Sequence, residues 1–264
     1  MSKQDLKTII QKVQHIEKNR LPIKPMANVR HASVAAIIRW KPSSNTTNNT
    51  PLSLSDFLNA SWMNDSHGEA QMLFIQRASR PKDPFSGQIG FPGGKNEPED
   101  KNPMHTVVRE CKEELGLDLD SDDFVYLGSL DSRIVTRLDD DSKIMAVLYP
   151  YVYLQVTPQN LVFNLSINEV ASTMWISLHY LLSNPIISFD AITAITDYAK
   201  QFWGSSVLVP AIHLKQSQEG PYLWGMTLRM TQEILGLPLS KNAIVTTIKE
   251  EDMIEHHAKQ ASRL

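Results

Sequence analysis

Apolar side chains recur in residues 4–19 at Leu6, Ile9, Ile10, Val13 and Ile16, the three- and four-residue spacing of one helix face. Residues 32–40 are rich in Val, Ile and Ala and predict a buried strand. Residues 41–51 form a Ser/Asn/Thr tract bounded by prolines, with nothing to bury. That tract predicts a surface loop interrupting a sheet. A second short strand is expected over 72–76. The next stretch is broken by Pro81, Pro84, Gly87, Gly90, Pro92, Gly93 and Gly94, the punctuation of successive turns. Asn102-Pro103 is a helix start, with Asn as cap and Pro at the first helical position, and Gly116 is its stop. Strands are expected at 125–130 and 144–156. Trp175 to Leu178 leads into a short helix near 178–182. Segments 203–209 and 212–214 are apolar, Met226, Met230 and Ile234 mark a helix over 226–235, and residues from Lys249 onward form a charged helix or tail. Strands and helices are interspersed throughout, which predicts an α/β or α+β layered fold in one domain.

Composition narrows the class. The chain has 264 residues, 42% hydrophobic and 21% charged, enough apolar content to fold around a full core. The net charge of -3 and the lack of a strongly basic segment argue against a non-specific nucleic-acid binder. Cys111 is the single cysteine, so no internal disulfide can form. No apolar run is long enough to span a bilayer, and the opening Met-Ser-Lys-Gln-Asp-Leu lacks the apolar core of a secretory signal. The expectation is a soluble intracellular protein, cytoplasmic unless it is addressed elsewhere.

The chemistry concentrates between Gly93 and Leu117. On a helix over 103–115, Met104, Val107, Val108, Cys111 and Leu115 share one side. Glu110, Glu113 and Glu114 fall on the other, within one turn of each other. Carboxylates crowded in this way repel, and a divalent cation removes the repulsion; hard oxygen ligands suit Mg²⁺ or Mn²⁺. Arg109 lies four residues before Glu113, in reach of its carboxylate. Alone, such a Glu run reads best as a solvated helix face. The Gly-Gly turn just before the helix changes that balance, because glycine lets a backbone carbonyl approach a metal or a phosphate.

These residues resemble the box of the Nudix hydrolases, Gly-x5-Glu-x7-Arg-Glu-U-x-Glu-Glu-x-Gly-U, where U is bulky and aliphatic. Gly94, Arg109, Glu110, Glu113, Glu114, Gly116 and Leu117 match, with Cys111 at the first U. Asp100 stands where the first Glu is expected, and the gap to Arg109 is one residue longer than the pattern. Upstream, Arg77-Ala78 and the run from Gly87 to Gly94 resemble the signature of the coenzyme A diphosphatase subgroup. There Lys82 replaces an Arg, and one extra residue separates it from Gly87. Downstream, Asn168-Glu169-Val170, Trp175-Ile176-Ser177-Leu178 and Leu223-Trp224-Gly225-Met226-Thr227 extend the similarity over residues 32 to about 237.

The resemblance implies an α/β fold, a Nudix-type α/β/α sandwich with a mixed β-sheet and a loop-helix-loop box. It suggests an N-terminal helical extension over 1–24, the Nudix domain over 25–240 and a charged tail over 241–264. It implies Mg²⁺-dependent (or Mn²⁺-dependent) hydrolysis of the pyrophosphate bond of coenzyme A or an acyl derivative, giving 3′,5′-ADP and 4′-phosphopantetheine or its acyl form. Gly94, Glu110, Glu113 and Glu114 would hold the metal, and Arg109 would orient the acids. A box glutamate or Glu169 would be the base, Glu169 reading slightly better as a solvated loop carboxylate. Arg77, Arg80, Lys82, Gly93 and Gly94 would contact phosphates, with surface charge the alternative for Arg80 and Lys82. Tyr222 and Trp224 are candidates to stack on a base or to fill the core. ADP-ribose or another nucleotide conjugate is the alternative substrate, and a non-catalytic binding module is the alternative class. The terminal Ser262-Arg263-Leu264 is similar to a peroxisomal address, making the peroxisomal import receptor an expected partner.

Overall fold

The computed structural model describes residues 2–20, 29–43, 50–80, 83, 85–136, 144–191, 208–214 and 220–238. Its centre is a long strand, β1 (Arg30–Lys41), whose alternation builds two cores. Ala35 and Ile37 point to one face, where they meet Leu73, Ile75, Val107, Cys111 and Leu115. Ala36 and Ile38 point to the other, with Leu6, Ile10, Val13, Met72, Phe74, Leu228 and Ile234. A strand with period-two side chains and apolar residues on both faces must be covered twice, so the sheet is the middle layer of an α/β/α sandwich.

β1 pairs in parallel with β7 (Ile144–Gln155), Ala35 lying opposite Tyr151. It pairs antiparallel with β2 (Glu69–Arg77) and with the short β4 (Gly93–Lys95). The order β3-β2-β1-β7-β5 is completed by β3 (Ile89–Gly90) and β5 (Phe124–Ser129); β6 (Arg133–Thr136) joins β7, and β8 (Val170–Ser177) joins β2. The sheet is therefore mixed.

One face carries α3 (Pro103–Leu115). The other carries α1 (Lys3–Asn19) and α5 (Gly225–Leu235). In α1 the Ser2 side chain accepts from Asp5 N–H while the Asp5 carboxylate accepts from Ser2 N–H, a capping box that fixes the helix start. The helix buries Leu6, Ile9, Ile10 and Val13 as its periodicity requires. It thus shares a core with the sheet.

Short α2 (Leu54–Asn59) lies between β1 and β2, and α4 (Leu178–Ser183) follows β8. A second sheet has the order β11-β10-β9, from β9 (Ile187–Asp190), β10 (Leu208–His213) and β11 (Tyr222–Trp224). In it Tyr222 stacks on Phe189, ring centroids 4.1 Å apart, and both Tyr222 and Trp224 pack against that small core. Their core reading is the one the contacts support.

The sequence did not announce α2, β6, β9 or β11. Residues 203–207, the charged stretch from Lys249 and the proposed tail 241–264 lie outside the described residues, as does most of the polar tract, 44–49.

Candidate active site

Helix α3 starts where its sequence directs. Asn102 Oδ1 accepts the His105 N–H at 2.9 Å, and Pro103 occupies the first turn. It stops at Gly116, which adopts φ 71°, a left-handed cap that glycine takes without a Cβ clash. The loop entering β8 closes this end: Asn164 N–H donates to Leu115 O and Ser166 N–H to Glu114 O, both at 2.9 Å. Those bonds satisfy carbonyls that a helix end leaves open. They also fix the segment that carries Glu169, since Glu169 N–H and Val170 N–H both donate to Ser166 O at 2.8 Å.

The Gly-rich turn is pressed between β1 and α3. β4 places Gly94 opposite Ser33 and Gly93 opposite Val34. Gly93 has φ 137°, and a Cβ on it would lie 2.1 Å from Ser33 O, so backbone occupies the space a side chain would need. A Cβ on Gly94 would lie 2.5 Å from the Glu110 carboxylate. Gly93 N–H donates to Glu114 Oε2 at 2.9 Å. Turn and helix therefore meet through Glu110 and Glu114.

The three box acids are not equivalent. Glu114 is 4% exposed, beside the fully buried Cys111 and Leu115. This differs from the expected separation of an apolar and an acidic side, because Glu114 sits on the border of the two and the turn covers it. Glu110 is mostly covered as well, whereas the Glu113 side chain is 55% exposed. Arg109 gathers them: Nη1 donates to Glu113 Oε2 at 2.9 Å, and Nη2 to Glu110 Oε1 at 3.2 Å and to Lys95 O at 2.9 Å.

Arg109 is itself held by a residue the sequence reading passed over as a departure. Its Nε and Nη2 donate to Asp100 Oδ1 and Oδ2 at 3.0 and 2.9 Å, a two-pronged pair of the strong, geometrically specific kind. The Asp100 side chain is 1% exposed and also accepts Glu97 N–H. Its place at the first acid of the box pattern was the available signal.

Electrostatics set the box apart from a solvated helix face. Burial pushes the Glu110 carboxyl up, offset in part by Arg109. Burial pushes Glu114 up to about 7; Glu110 and Glu169 add to the rise, while the Gly93 N–H and Arg77 oppose it. Glu169 and Arg77 are therefore close enough for their charges to act on the box. Pairing of β2 with β8 brings them there, with Arg77 opposite Val170 and Ala78 N–H donating to Glu169 O at 2.8 Å. Arg77 Nη2 bonds Asp83 Oδ2 at 2.8 Å, and its buried Nε has no partner among the described residues. Arg80 reaches Glu169 Oε1 at 2.9 Å and Asn168 O at 2.7 Å. Lys82 lies outside the described residues, as do Ser262, Arg263 and Leu264.

Among the described residues, no three His, Cys, Asp or Glu side chains already converge as metal ligands. The donor set fits a hard divalent cation nonetheless. Burial raises the pKa of both carboxylates, Glu110 adds to the rise at Glu114, and the backbone at Gly94 abuts Glu110. The charge that this arrangement lacks is positive. Replacing Gly94 by Ala should expel the Glu110 carboxylate by direct overlap. We expect a Mg²⁺-dependent rate at least about 100-fold lower, with a melting temperature changed far less than by Gly93→Ala, whose Cβ meets backbone. Unaltered kinetics in Gly94→Ala would remove Glu110 from the site.

Known proteins share parts of this sequence. The chain is 32% identical over 162 residues to an uncharacterised protein of Schizosaccharomyces pombe, covering 61% of this chain and 45% of that one. The chain thus spans less than half the length of that relative. It is 28% identical over 199 residues to a peroxisomal coenzyme A diphosphatase of Caenorhabditis elegans, covering 74% and 75% of the two chains. Among solved structures, the NUDIX domain of Shewanella oneidensis NrtR in complex with ADP ribose covers 70% of this chain and 94% of its own, at 18% identity and a TM-score of 0.36. The family model described as the NUDIX domain matches residues 60–193, just over half of the sequence and including the turn, α3 and Glu169, and the chain belongs to that family.

Proposed function

We propose that this chain hydrolyses the pyrophosphate bond of coenzyme A or its acyl derivatives with Mg²⁺ or Mn²⁺, releasing 3′,5′-ADP and 4′-phosphopantetheine or its acyl form. The observation that carries the reaction class is the buried Glu110–Glu114 pair, jammed against the Gly93-Gly94 turn and raised in pKa by burial. The substrate reading is supported by Arg77-Ala78 and the run from Gly87 to Gly94, and by the C. elegans relative that bears this activity in its name.

In this reading Glu110, Glu114, the more exposed Glu113 and the Gly94 carbonyl hold the cation. A divalent cation there supplies Lewis acidity toward pyrophosphate oxygens and lowers the pKa of water. Arg109, anchored by Asp100, keeps Glu110 and Glu113 aimed at the site, and the Gly93 N–H fixes Glu114. Arg77, whose charge acts on Glu114, offers its guanidinium to a phosphate oxygen, where negative charge grows as the bond breaks. Glu169 has one oxygen on Arg80 and takes the water proton on its other, Oε2.

A panel of coenzyme A, acetyl-coenzyme A, ADP-ribose and diadenosine polyphosphates with Mg²⁺, read by product mass, tests the proposal. Coenzyme A and its acyl ester should give a nucleoside product of 3′,5′-ADP. Cleavage of ADP-ribose with none of coenzyme A would replace the substrate and keep the metal chemistry; cleavage of nothing in the panel would return the chain to a binding role. Peroxisomal residence is part of the same proposal, supported by the C. elegans relative, whose name places it in the peroxisome. No helix among the described residues is long and apolar enough to cross a membrane, and we propose no nucleic-acid partner.

A further inference from the structure

Arg80 and Glu169 stand 89 residues apart in sequence, on the loop that leaves β2 and the loop that enters β8. The backbone of Arg80 is pinned by Ser86, a buried serine that accepts Arg80 N–H at 2.8 Å and donates to Arg80 O at 2.9 Å. From that fixed base the guanidinium donates twice to the opposite loop, Nε to Asn168 O at 2.7 Å and Nη2 to Glu169 Oε1 at 2.9 Å. Adjacent donors of one rigid fork thus engage adjacent residues, which fixes orientation as well as distance.

We infer that Arg80 is a positioning residue for Glu169: it cross-links the two loops and holds the Glu169 carboxylate toward Glu110 and Glu114. The inference rests on the hydrolase reading. Glu169 needs such a hold, because its charge acts on Glu110 and Glu114 with the same sign and repulsion alone would turn it outward. Stability is not the reason for the pair. Both side chains are about 40% exposed, and ion pairs at that exposure contribute little to folding. Direct phosphate binding by Arg80 is the competing role, and the two make opposite forecasts when Glu169 is already gone.

The experiment is a double-mutant cycle of Arg80→Ala and Glu169→Gln, with Arg80→Lys beside it, measured on coenzyme A and on ADP-ribose. Each single variant should lower kcat by about 10- to 100-fold, with KM little changed. The double variant should be no slower than Glu169→Gln alone, the signature of two residues acting as one unit. Arg80→Lys keeps the charge but not the fork, and should recover only part of the loss. A raised KM, or losses that multiply in the double variant, would make Arg80 a substrate ligand and overturn the inference. So would full activity in Arg80→Ala or in Glu169→Gln. A wild type that cleaves ADP-ribose but not coenzyme A refutes the substrate proposal and leaves the cycle readable.

Mn²⁺ titration followed by electron paramagnetic resonance reads the same geometry without turnover. Losing a nearby cation should by itself tighten Mn²⁺ binding, whereas letting Glu169 swing away should weaken it. Arg80→Ala should therefore weaken Mn²⁺ by about tenfold, whereas in the Glu169→Gln background, where only the lost cation acts, it should leave Mn²⁺ binding no weaker. Tighter or unchanged binding in Arg80→Ala would refute the positioning role even if no substrate were cleaved.

Discussion

Glu114→Gln should lower turnover at saturating Mg²⁺ by at least about 1000-fold, equivalent to about 4 kcal/mol of transition-state stabilisation, while the metal-free protein melts at the same or a higher temperature. The two halves of this result come from one fact. Glu114 is a carboxylate among apolar neighbours, with Gly93 N–H as its hydrogen-bond donor and Glu110 as a like charge nearby. An amide of the same shape still accepts from Gly93 and no longer repels Glu110. It has no charge to offer a divalent cation. Glu113→Gln should cost less, because that side chain is half exposed and its bond runs to Arg109. Calorimetry, Mg²⁺ titration and rates on the two variants check the ranking. Equal losses would mean that exposure does not grade the ligands, and a destabilised Glu114→Gln would make the residue structural.

The same carboxyl sets a pH dependence. Glu114 titrates near 7 in the folded chain against 4.5 for an ordinary Glu. Between those values the folded chain keeps a proton that the unfolded chain has released, so metal-free stability must fall as pH rises through that window. The full span corresponds to at most about 3–4 kcal/mol. Glu110, also raised by burial, adds in the same direction. Urea melts in EDTA at pH 5.5 and 7.5 should show the loss, Glu114→Gln should remove most of it, and saturating Mg²⁺ should offset it at the higher pH. Stability that rises over this range in the metal-free wild type would contradict the burial of Glu114.

Local chemistry explains what could be read without the structure. Asn102-Pro103 and Gly116 bound α3 because caps act within a few residues. The run of Val and Ile in β1 shows because both faces are buried. Arg109 and Glu113 were paired by helix spacing alone. The Gly93-Gly94 turn and the acids were legible as a site because they lie within one short stretch. What stayed hidden depends on distant partners. β6 and β9 are four residues each, defined by strands elsewhere in the chain, and Ile187 on β9 is exposed, so no periodicity marks that strand. The burial of Glu114 follows from the turn packing over it, which its own helix cannot reveal. Arg80 and Glu169 meet through the pairing of β2 with β8. Asp100 looked like a flaw in the box because the pattern counts residues, whereas Arg109 responds only to where the oxygens are.

That last contrast gives the sharpest test of how the box loop is built. Asp100→Ala should destabilise the fold by about 1–3 kcal/mol, the cost of leaving guanidinium donors unmet in a largely buried site, and should reduce activity by loosening Arg109 against the acids it aligns. Arg109 holds the Asp100 carboxyl well below the usual carboxylate range, with Glu97 N–H assisting. Its contribution is therefore present above the ordinary Asp value and is lost only as pH falls far into acid, opposite in sign to Glu114. Asp100→Glu restores the residue type of the family pattern, yet it should not be neutral here. Both oxygens already meet the Arg109 fork at 3.0 and 2.9 Å while one also takes Glu97 N–H, and the loop carries one residue more than the pattern. An added methylene has to displace the loop or the fork, an overpacking cost of about 1–3 kcal/mol. Replacing both partners, Asp100→Leu with Arg109→Leu, should recover part of the stability lost in Asp100→Ala, since the pair leaves together while Glu110 loses the guanidinium that offsets its burial, and should leave the enzyme slow because Glu110 and Glu113 have lost their guide. Chemical denaturation and steady-state rates on the three proteins separate the two roles. A fast double variant would show that Arg109 serves the fold alone, and a neutral Asp100→Glu would show that the longer loop is free to adapt.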